Sequence, residues 1–554
     1  MDPETSKLVL LVVLDGWGIA APGPGNAISL ANTVNMNKFL ASYPHTELSA
    51  SGESVGLPHG EVGNTETGHL NLGAGRIVYQ DLKRINMSIA DDDFFQNETL
   101  IAAINHAKEN NSNLHFMGLI GAGGVHSNIE HLYALIELAK KQNFNRVFLD
   151  LFTDGRDSPP TAAKTYISQL REAISKFGIG QISSIMGRYW AMDRDLRWDR
   201  TSKAYSALTA GQGHLVKTPE EAIDLSYADG KTDEFIDPSL ITGTDSKPIA
   251  IIKDNDSVVF FNFRIDRPRQ LSRAFVFDDF KNANALLGFD PYQVKYQKTH
   301  LPLRPAQGVE PFERGLKLKN LFFVTMTEYE RQIVEAGAKV AFPPENVKIP
   351  LGRVISEAGL RQLRASESEK ERFVTFYFNG QQEIPFDGED HTIIPSPKVA
   401  TYDLKPEMSA RELTEAVLAK LTDIGDYRFI LMNFANADMV GHTGNIGAAV
   451  KACDVIDECL GKLSAWILAY GGTMLITADH GNVEEMINAQ TGQVETEHSG
   501  NPVPFIAISK ELLGRSQILT SGILADVAPT VLKILRLEVP GSMTGRNLLD
   551  SLVK

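Results

Sequence analysis

The sequence predicts an α/β protein with a mainly parallel central sheet, and three observations support this class. Short runs rich in Val, Ile, Leu and Phe recur along the 554 residues, beginning with "LVLLVVL" at 8–14. Such continuous runs fit central strands buried on both faces better than strands with one exposed face. Helical patterns lie between the runs, and charged residues follow the runs directly. This alternation indicates parallel strands joined by helices.

Length, composition and charge limit the class of protein further. A chain of 554 residues, of which 43% are hydrophobic, is long enough for two domains. A net charge of −15 repels nucleic acid and anionic lipid, so we expect neither as a partner. The first apolar run is too short to span a membrane and lacks a cleavage site, which predicts a cytoplasmic location. The two cysteines, Cys453 and Cys459, have no metal or disulfide spacing and fit a reducing compartment.

One helical pattern, "SARELTEAVLAKL" at 409–421, illustrates the segments between the strands. Ser409 and Glu412 have the spacing of a capping box at a helix N-terminus. Leu413, Val417 and Leu421 recur at helical spacing and share one apolar face. The pattern predicts a helix that packs on the sheet.

Five of the apolar runs end in charged residues, where open α/β sheets bind their ligands. The first, fourth and fifth runs lead to carboxylates and imidazoles: Asp15, Asp438 with His442, and Asp479 with His480. The second and third lead mainly to arginines: Asp154, Arg156 and Asp157, then Arg264 and Arg267. One such end would indicate only a strand that emerges into solvent. Because the five ends separate by chemistry, we predict two half-sites.

The first half-site has the composition of a metal centre. Asp438 and His442 are four residues apart, so on a helix they share one face and can bind one ion. The adjacent residues Asp479 and His480 would point to opposite sides of an extended strand end and could serve two ions. Three carboxylates and three imidazoles result when two further residues are added, Asp15 and His498. This set suits Mn²⁺, Zn²⁺, Fe²⁺ or Co²⁺ better than Ca²⁺, with manganese or zinc preferred.

The stretch "GNTETGHLNLGAGR" at 63–76 is rich in glycine and hydroxyl groups but lacks the Gly-Lys-Ser/Thr ending of a nucleotide P-loop. The position of Thr65, just before a predicted helix, is typical of an N-cap. Beside a divalent ion, however, a hydroxyl ionises more readily, and a helix N-terminus stabilises phosphoryl oxygens. The residues alone leave both roles open for Thr65.

Nine motifs resemble, in the same order, those of the cofactor-independent phosphoglycerate mutases. They are "DGWG", "GNTETGHLNLGAGR", "GGVHS", "DGRD", "GRYWAMDRD", "FFNFRIDR", "PSPKVATYDLKPEMSA", "NFANADMVGHTG" and "TADHGN". That family belongs to the alkaline phosphatase superfamily. The resemblance implies a phosphatase-like metal-binding domain, 1–78 with 344–554, interrupted by an inserted α/β phosphotransferase domain, 79–343. It also implies a monomer that interconverts 3-phosphoglycerate and 2-phosphoglycerate in glycolysis and gluconeogenesis, without 2,3-bisphosphoglycerate.

The resemblance also implies roles for residues of this sequence. One metal ion would be bound by Asp15, Thr65, Asp479 and His480, and a second by Asp438, His442 and His498. The substrate would contact His126, Arg156, Asp157, Arg188, Arg194, Arg264, Arg267 and Lys370. The catalytic residues would be Thr65, His126, Asp157 and Lys370, with Thr65 carrying the phosphoryl group. Arginine suits this substrate, because its planar fork binds carboxylate and phosphate bidentately.

The sequence departs from the family pattern in three places. Threonine stands at position 65, where the family has serine in "GNSEVGH", and its methyl group crowds the attacking oxygen. Gly121 and Ala122 replace the usual Ser-Asp, and the stretch from about 278 to 321 is longer than in bacterial members. Two alternatives stay open: a metal-dependent phosphatase or phosphopentomutase-like enzyme, and an inactive metal-binding or regulatory protein.

Overall fold

A computed structural model describes residues 8–282, 310–423, 426–488 and 491–552 of the chain. Two compact units are present: unit 1 comprises residues 1–80 and 345–554, and unit 2 comprises residues 81–344. Each unit contains one eight-stranded, mainly parallel sheet, which confirms the predicted α/β class. Most of the long stretch from 278 to 321, namely residues 283–309, lies outside the described residues.

Strands and helices are numbered along the whole chain. The strands of unit 1 are β1 (Val9–Leu14), β2 (His45–Ser49), β11 (Arg361–Glu367), β12 (Glu389–Ile394), β13 (Tyr427–Phe434), β14 (Thr473–Thr477), β15 (Val503–Ile508) and β16 (Gly522–Ile523). Its helices are α1 (Ala27–Leu30), α2 (Val34–Ser42), α3 (Thr65–Ala74), α13 (Leu351–Glu357), α14 (Ala410–Asp423), α15 (Asn436–Gly441), α16 (Ile446–Tyr470) and α17 (Val527–Ile534).

The strands of unit 2 are β3 (Leu114–Ile120), β4 (Val147–Thr153), β5 (Gln181–Gly187), β6 (His214–Val216), β7 (Ser239–Ile241), β8 (Ser257–Phe260), β9 (Phe322–Thr327) and β10 (Lys339–Phe342). Its helices are α4 (Asp81–Ala90), α5 (Glu98–Glu109), α6 (Ile129–Lys141), α7 (Ala163–Phe177), α8 (Arg188–Ala191), α9 (Trp198–Ala210), α10 (Pro219–Ala228), α11 (Arg269–Val276) and α12 (Arg331–Glu335).

The unit 1 sheet has the strand order β12-β11-β13-β1-β14-β15-β2-β16. The first five strands in this order, β12, β11, β13, β1 and β14, are parallel to one another. Strand β15 is antiparallel to both of its neighbours, β14 and β2. All six residues of the central strand β1 are fully buried, as its unbroken apolar sequence predicts. The N-terminal segment of the chain therefore forms the middle of this sheet.

The unit 2 sheet has the strand order β10-β9-β8-β3-β4-β5-β7-β6. The six strands from β10 to β5 are parallel, and β7 is antiparallel to β5. Buried apolar residues form separate clusters on its two faces, one packed mainly against α5, α6 and α7 and one against α9 and α11. Each unit thus has its own core.

The helix predicted at 409–421 is α14, and its predicted apolar face is buried. The predicted capping box is wrong, however. The Ser409 hydroxyl donates to Pro395 O at 2.9 Å, and the Ser409 amide donates to the Glu367 carboxylate at 2.9 Å. A tertiary contact with β11 therefore supplies what Glu412 was expected to supply from within the helix.

Two further sequence observations concern the cysteines and the membrane. Cys453 and Cys459 are both buried and free. Among the described residues, no helix combines the length and the apolar character that crossing a bilayer requires.

Candidate functional site

Three neighbouring strands of unit 1 position the first set of predicted residues. Strands β13, β1 and β14 are parallel, and the last residues of β1 pair with the last residues of β13 and β14. Segments that follow these strands therefore leave the sheet at the same edge. The Asp15 amide donates to Phe434 O at 3.1 Å, and the Asp438 amide donates to Asp15 O at 3.0 Å. These bonds tie the first segment to the second.

Four predicted ligands, Asp15, Thr65, Asp479 and His480, form a first buried group. His480 Nε2 lies 3.4 Å from Asp15 Oδ1 and 3.7 Å from Asp479 Oδ2. Thr65 Oγ1 lies 3.2 Å from Asp15 Oδ1 and 3.0 Å from His480 Nε2. The oxygen and nitrogen atoms of Asp15, Asp479 and His480 are close enough to hold one metal ion.

A second group consists of Asp438, His442 and His498. Both His442 Nε2 and His498 Nε2 approach Asp438 Oδ1, at 3.1 and 3.3 Å, and the two nitrogens are 3.2 Å apart. His480 Nε2 is 3.9 Å from the same Asp438 oxygen, so it lies between the two groups. The predicted opposite orientation of Asp479 and His480 is wrong, because the chain bends at these residues instead of remaining extended.

The three imidazoles are oriented as metal ligands are. Nδ1 of His442, His498 and His480 lies 2.7, 2.8 and 3.2 Å from a main-chain carbonyl oxygen. A neutral ring that donates from Nδ1 presents a lone pair at Nε2. With that protonation, the neighbouring Nε2 atoms of His442 and His498 face each other with lone pairs, which a cation between them would stabilise. The residues present therefore fit divalent ions.

Lys370 lies among the carboxylates of both groups and is 3% exposed. Its Nζ is 2.7 Å from Asp15 Oδ1, 2.7 Å from Asp438 Oδ2 and 3.1 Å from Thr65 Oγ1. Burial alone lowers the pKa of this amine, but Asp15, Asp438 and Asp479 together raise it above its ordinary value. Lys370 is therefore a fixed cation that balances buried negative charge and contacts the Thr65 hydroxyl.

Thr65 is the first residue of α3, and the N-cap is Asn64. The Asn64 side-chain oxygen accepts from Thr67 N at 3.0 Å, so of the two roles left open for Thr65 the capping role belongs to Asn64 instead. The Thr67 hydroxyl donates to Asn64 O at 3.1 Å. Of the two threonines, Thr65 directs its hydroxyl toward the ligand groups, and Thr67 directs its hydroxyl back to Asn64.

The second set of predicted residues follows the carboxyl ends of β3, β4, β5 and β8 in unit 2. Asp266, which sequence analysis did not select, joins several of them. Its carboxylate lies 2.8 Å from Arg194 Nη1, 3.2 Å from Arg264 Nε and 3.6 Å from His126 Nδ1. His126 Nε2 lies 3.7 Å from Asp157 Oδ2. These residues form one side of a charged cluster.

The remaining arginines complete this cluster. Arg188 bonds to Asp157 and to Asp154, and Arg267 Nη1 donates to Met192 O at 3.2 Å. Burial, followed by the charges of Arg188, Arg194 and Arg156, lowers the pKa of Arg267 to about 10. Guanidinium groups therefore surround Arg267 closely enough to oppose its charge. We call the five arginines, with His126 and Asp157, the arginine cluster.

His126 is neutral at physiological pH. Burial is the main cause that lowers the pKa of its imidazole to about 3, and Arg188, Arg264 and Arg267 lower it further against the opposing effect of Asp266. A neutral ring amid positive charge can accept a proton only as negative charge arrives nearby.

All of the predicted substrate-binding residues except Lys370 belong to unit 2.

Sequence analysis missed two buried residues of unit 1, His69 and Asn433. Asn433 Nδ2 donates to Asp15 Oδ2 at 2.8 Å and lies 3.1 Å from His69 Nε2, while His69 Nδ1 lies 3.2 Å from Asp479 Oδ2. The pair connects the two carboxylates of the first group. His69 was detectable, because it follows Thr65 by one helical turn. Asn433 was detectable as a polar residue within an apolar strand.

The fold and the two ligand groups define an α/β protein with a candidate two-ion metal centre. Residues 85–331 match the family model described as "BPG-independent PGAM N-terminus". The chain is 49% identical over 544 residues to the 2,3-bisphosphoglycerate-independent phosphoglycerate mutase of Moorella thermoacetica, and 49% identical over 543 residues to that of Chloroflexus aggregans, with 98% of each chain covered. It therefore belongs to the family of 2,3-bisphosphoglycerate-independent phosphoglycerate mutases.

A solved structure is also similar over nearly the full length. It is that of the Leishmania mexicana phosphoglycerate mutase at low cobalt concentration, with 28% identity and a TM-score of 0.59. The similarity covers 98% of this chain and 97% of that one.

Proposed function

We propose that this protein interconverts 3-phosphoglycerate and 2-phosphoglycerate through a phosphorylated Thr65, without 2,3-bisphosphoglycerate. The position of the Thr65 hydroxyl carries the proposal. It lies at the N-terminus of α3, within hydrogen-bond distance of Asp15, His480 and Lys370. Family membership supports the choice of substrate and a role in glycolysis and gluconeogenesis.

Two divalent ions complete the proposed centre, Mn²⁺ in the first place and Zn²⁺ or Co²⁺ as alternatives. One would be held by Asp15, Thr65, Asp479 and His480, and the other by Asp438, His442 and His498. When bound, such ions supply positive charge that favours an ionised hydroxyl and stabilises phosphoryl oxygens.

The phosphoryl group moves in two in-line steps. In the first, Thr65 Oγ1, which has released its proton to solvent, bonds to phosphorus as the bond from phosphorus to the substrate oxygen breaks. In the second, the other hydroxyl of the same glycerate attacks phosphorus, the bond to Thr65 breaks, and Thr65 Oγ1 leaves as the ionised oxygen that began the cycle. Lys370 Nζ donates to Thr65 Oγ1 at 3.1 Å and would stabilise the negative charge on that oxygen before it attacks and when it leaves. The positive end of the α3 dipole, at the N-terminus where Thr65 lies, acts in the same direction.

The arginine cluster holds the glycerate during both steps. Guanidinium groups of Arg156, Arg188, Arg194, Arg264 and Arg267 bind its carboxylate and phosphate. His126 and Asp157 exchange protons with its two hydroxyls, since each leaving oxygen needs a proton and each attacking oxygen releases one. His126 is a weak base in the free protein, and the negative charge of the bound substrate would raise its pKa and make it a better proton acceptor.

Trapping of the phosphoenzyme tests the proposal. The metal-loaded protein is mixed with 3-phosphoglycerate and quenched, and the added phosphate is located by peptide mass spectrometry. We expect it on Thr65 and not on Thr67, whose hydroxyl bonds to Asn64. Thr65→Ser should remain active, and Thr65→Ala should lose turnover by about 10⁴-fold or more, as for other nucleophile deletions. Phosphate on Thr67, or a Thr65→Ala enzyme at near the parent rate, would contradict the mechanism.

The two alternative functions have less support than the mutase. The named relatives favour the mutase over a metal-dependent phosphatase or a phosphopentomutase-like enzyme. An inactive regulatory protein would be expected to have lost ligands, whereas all seven predicted ligands stand in the two groups. We further propose that the enzyme is a cytoplasmic monomer that acts on a small molecule. Its two free, buried cysteines are compatible with a reducing compartment.

A further inference from the structure

Three segments carry most of the proposed metal ligands of unit 1, and one buried carboxylate contacts all three. Glu484 Oε2 accepts hydrogen bonds from Gly18 N at 3.0 Å and from Asn482 N at 2.8 Å. Glu484 Oε1 accepts a hydrogen bond from the Ser499 hydroxyl and another from Asn501 Nδ2 at 3.1 Å. The residue is 2% exposed. Its carboxylate thus accepts four hydrogen bonds away from solvent.

Each partner of Glu484 lies close in sequence to a proposed ligand. Gly18 follows Asp15 by three residues, Asn482 follows His480 by two, and Ser499 directly follows His498. The Asn482 side-chain amide also lies 3.4 Å from the Asp438 carboxylate. Glu484 therefore reaches ligands of both groups through short pieces of backbone.

Two glycines lie directly against this carboxylate. A Cβ atom added at Gly18 would lie 2.3 Å from the Glu484 carboxyl carbon and from its Oε1. A Cβ atom added at Gly481 would lie 2.3 Å from Glu484 Oε1 and from the Ser499 hydroxyl oxygen. Two ligand-bearing segments therefore need glycine where the Glu484 side chain passes.

We infer that Glu484 is a positioning residue, which holds the Asp15, His480 and His498 segments at the spacing that binds divalent ions. Hydrogen bonds to an ionised carboxylate are about twice as strong as neutral ones. A carboxylate also only accepts, whereas glutamine would turn an NH₂ group toward donors on one side. The inference rests on the proposed metal centre, to which Glu484 contributes no ligand atom.

The chain offers a matched control and a milder variant. Glu485 is the next residue, is partly exposed, and accepts a hydrogen bond from Asn501 Nδ2 at 2.9 Å, but among the described residues its carboxylate has no hydrogen bond to the Asp15 segment or to Ser499. Glu485→Gln therefore removes an equal charge at nearly the same place. Ser499→Ala removes one of the four bonds to Glu484 and leaves the Ser499 amide bonded to Gly481 O.

The test is titration of Mn²⁺ alone into metal-free protein, with free Mn²⁺ followed by electron paramagnetic resonance. We expect the parent to bind two ions. Glu484→Gln should weaken both by about tenfold or more, as changes behind metal ligands do. Ser499→Ala should weaken chiefly the ion that His498 binds, and Glu485→Gln should match the parent. Unfolding temperatures of the metal-free proteins are measured alongside.

The outcomes separate positioning from a merely structural role. A Glu484→Gln protein that unfolds at a lower temperature yet binds two Mn²⁺ with parent affinity overturns the inference, and so does an equal loss in Glu485→Gln. If Glu484→Gln does not fold, Ser499→Ala decides, and parent-like binding by that variant overturns the inference. A parent chain that binds no Mn²⁺ would refute the proposed metal centre itself, which is a different result from unchanged binding in the variants.

Discussion

The two units carry charged residues at equivalent places, the carboxyl edge of a parallel sheet, but they bury those charges to different extents. In unit 1, Asp15, Asp479 and His480 are fully buried, and the buried Lys370 balances them. In unit 2, Arg188 is buried beside Asp154, but the side chains of Arg194 and Arg156 are 36% and 57% exposed. Buried carboxylates need cations at all times, whereas exposed guanidinium groups remain solvated until an anion arrives. We interpret unit 1 as built around resident ions and unit 2 around an exchanging anion.

Removal of metal should have the largest effect on activity. A chelator should abolish activity, and Mn²⁺ or Co²⁺ should restore it, because the proposed hydroxyl activation depends on the ions. Each bound ion should also raise the stability of unit 1, by about 2.7 kcal/mol at a concentration of 100 times its Kd. Thermal unfolding with and without Mn²⁺ measures this effect. Full activity of a protein whose metal content is zero by elemental analysis would refute the assignment.

Replacement of Lys370 is expected to have the next largest effect. Lys370→Met leaves Asp15 and Asp438 without their buried cation, which should cost the metal-free protein about 3–5 kcal/mol of stability. Activity with metal should fall by about 10²–10³-fold, since a donor to the reacting oxygen is lost. Steady-state kinetics and urea unfolding give the two quantities. Lys462→Met, which removes an exposed ion pair with Glu458, is the control and should change neither.

Arg264→Lys tests whether the arginines of unit 2 bind the substrate anion. Lysine keeps the charge but loses the planar fork, and one hydrogen bond to a charged group is worth about 1.5–3 kcal/mol. We expect kcat/KM to fall by about tenfold to a hundredfold. Mn²⁺ affinity, measured on the same sample, should not change. Arg171→Lys alters an exposed pair with Glu220 and serves as the control. Equal kinetics in both variants would remove Arg264 from the substrate site.

The smallest effect on activity is expected at His115, a buried charge of unit 2 outside the arginine cluster. Its Nδ1 lies 2.8 Å from Asp150 Oδ2, and its Nε2 lies 3.7 Å from Asp256 Oδ2. Burial opposes protonation, but Asp150 and Asp256 outweigh it and raise the pKa of His115 to about 9. Because this exceeds the unfolded value of about 6.5, the stabilisation is complete below pH 6.5 and is lost as the pH rises through 9.

The expected size of this pH effect is about 3 kcal/mol, since one pKa unit corresponds to about 1.4 kcal/mol. Thermal unfolding of the full chain between pH 6 and pH 10 measures it, and His115→Gln should flatten the profile. The partly exposed His106, replaced in the same way, is the control. A parent-like slope in His115→Gln would show that other groups cause the pH dependence.

The fold class could be predicted because the sequence of a buried strand indicates whether one or both of its faces are covered. The run in β1 is apolar at every position, and all six residues are buried. Local spacing was equally informative at Asp438 and His442. As predicted, they share one face on adjacent turns, and His442 Nε2 lies 3.1 Å from Asp438 Oδ1. Where one turn of chain decided the geometry, the sequence was sufficient.

Contacts between distant segments could not be predicted in this way. Asn433 meets His69 across 364 residues, and Glu484 meets Gly18 across 466. Both contacts depend on the placement of β1 between β13 and β14, which no local pattern specifies. The orientation of Asp479 and His480 failed for a related reason, because a bend held by tertiary contacts replaced the extended strand end. The ligand roles themselves remain predictions until the metal-binding experiments are done.

The central position of β1 has a consequence for how the protein is made. This strand leaves the ribosome before its neighbours β13 and β14, which follow more than 400 residues later. At about 5–20 residues per second, the nascent chain carries the unpaired segment VLLVVL for roughly 20–80 s. A fully apolar strand without partners is prone to associate with other chains during that time. The sheet of unit 1 therefore cannot close around β1 during synthesis until β13 and β14 have been translated.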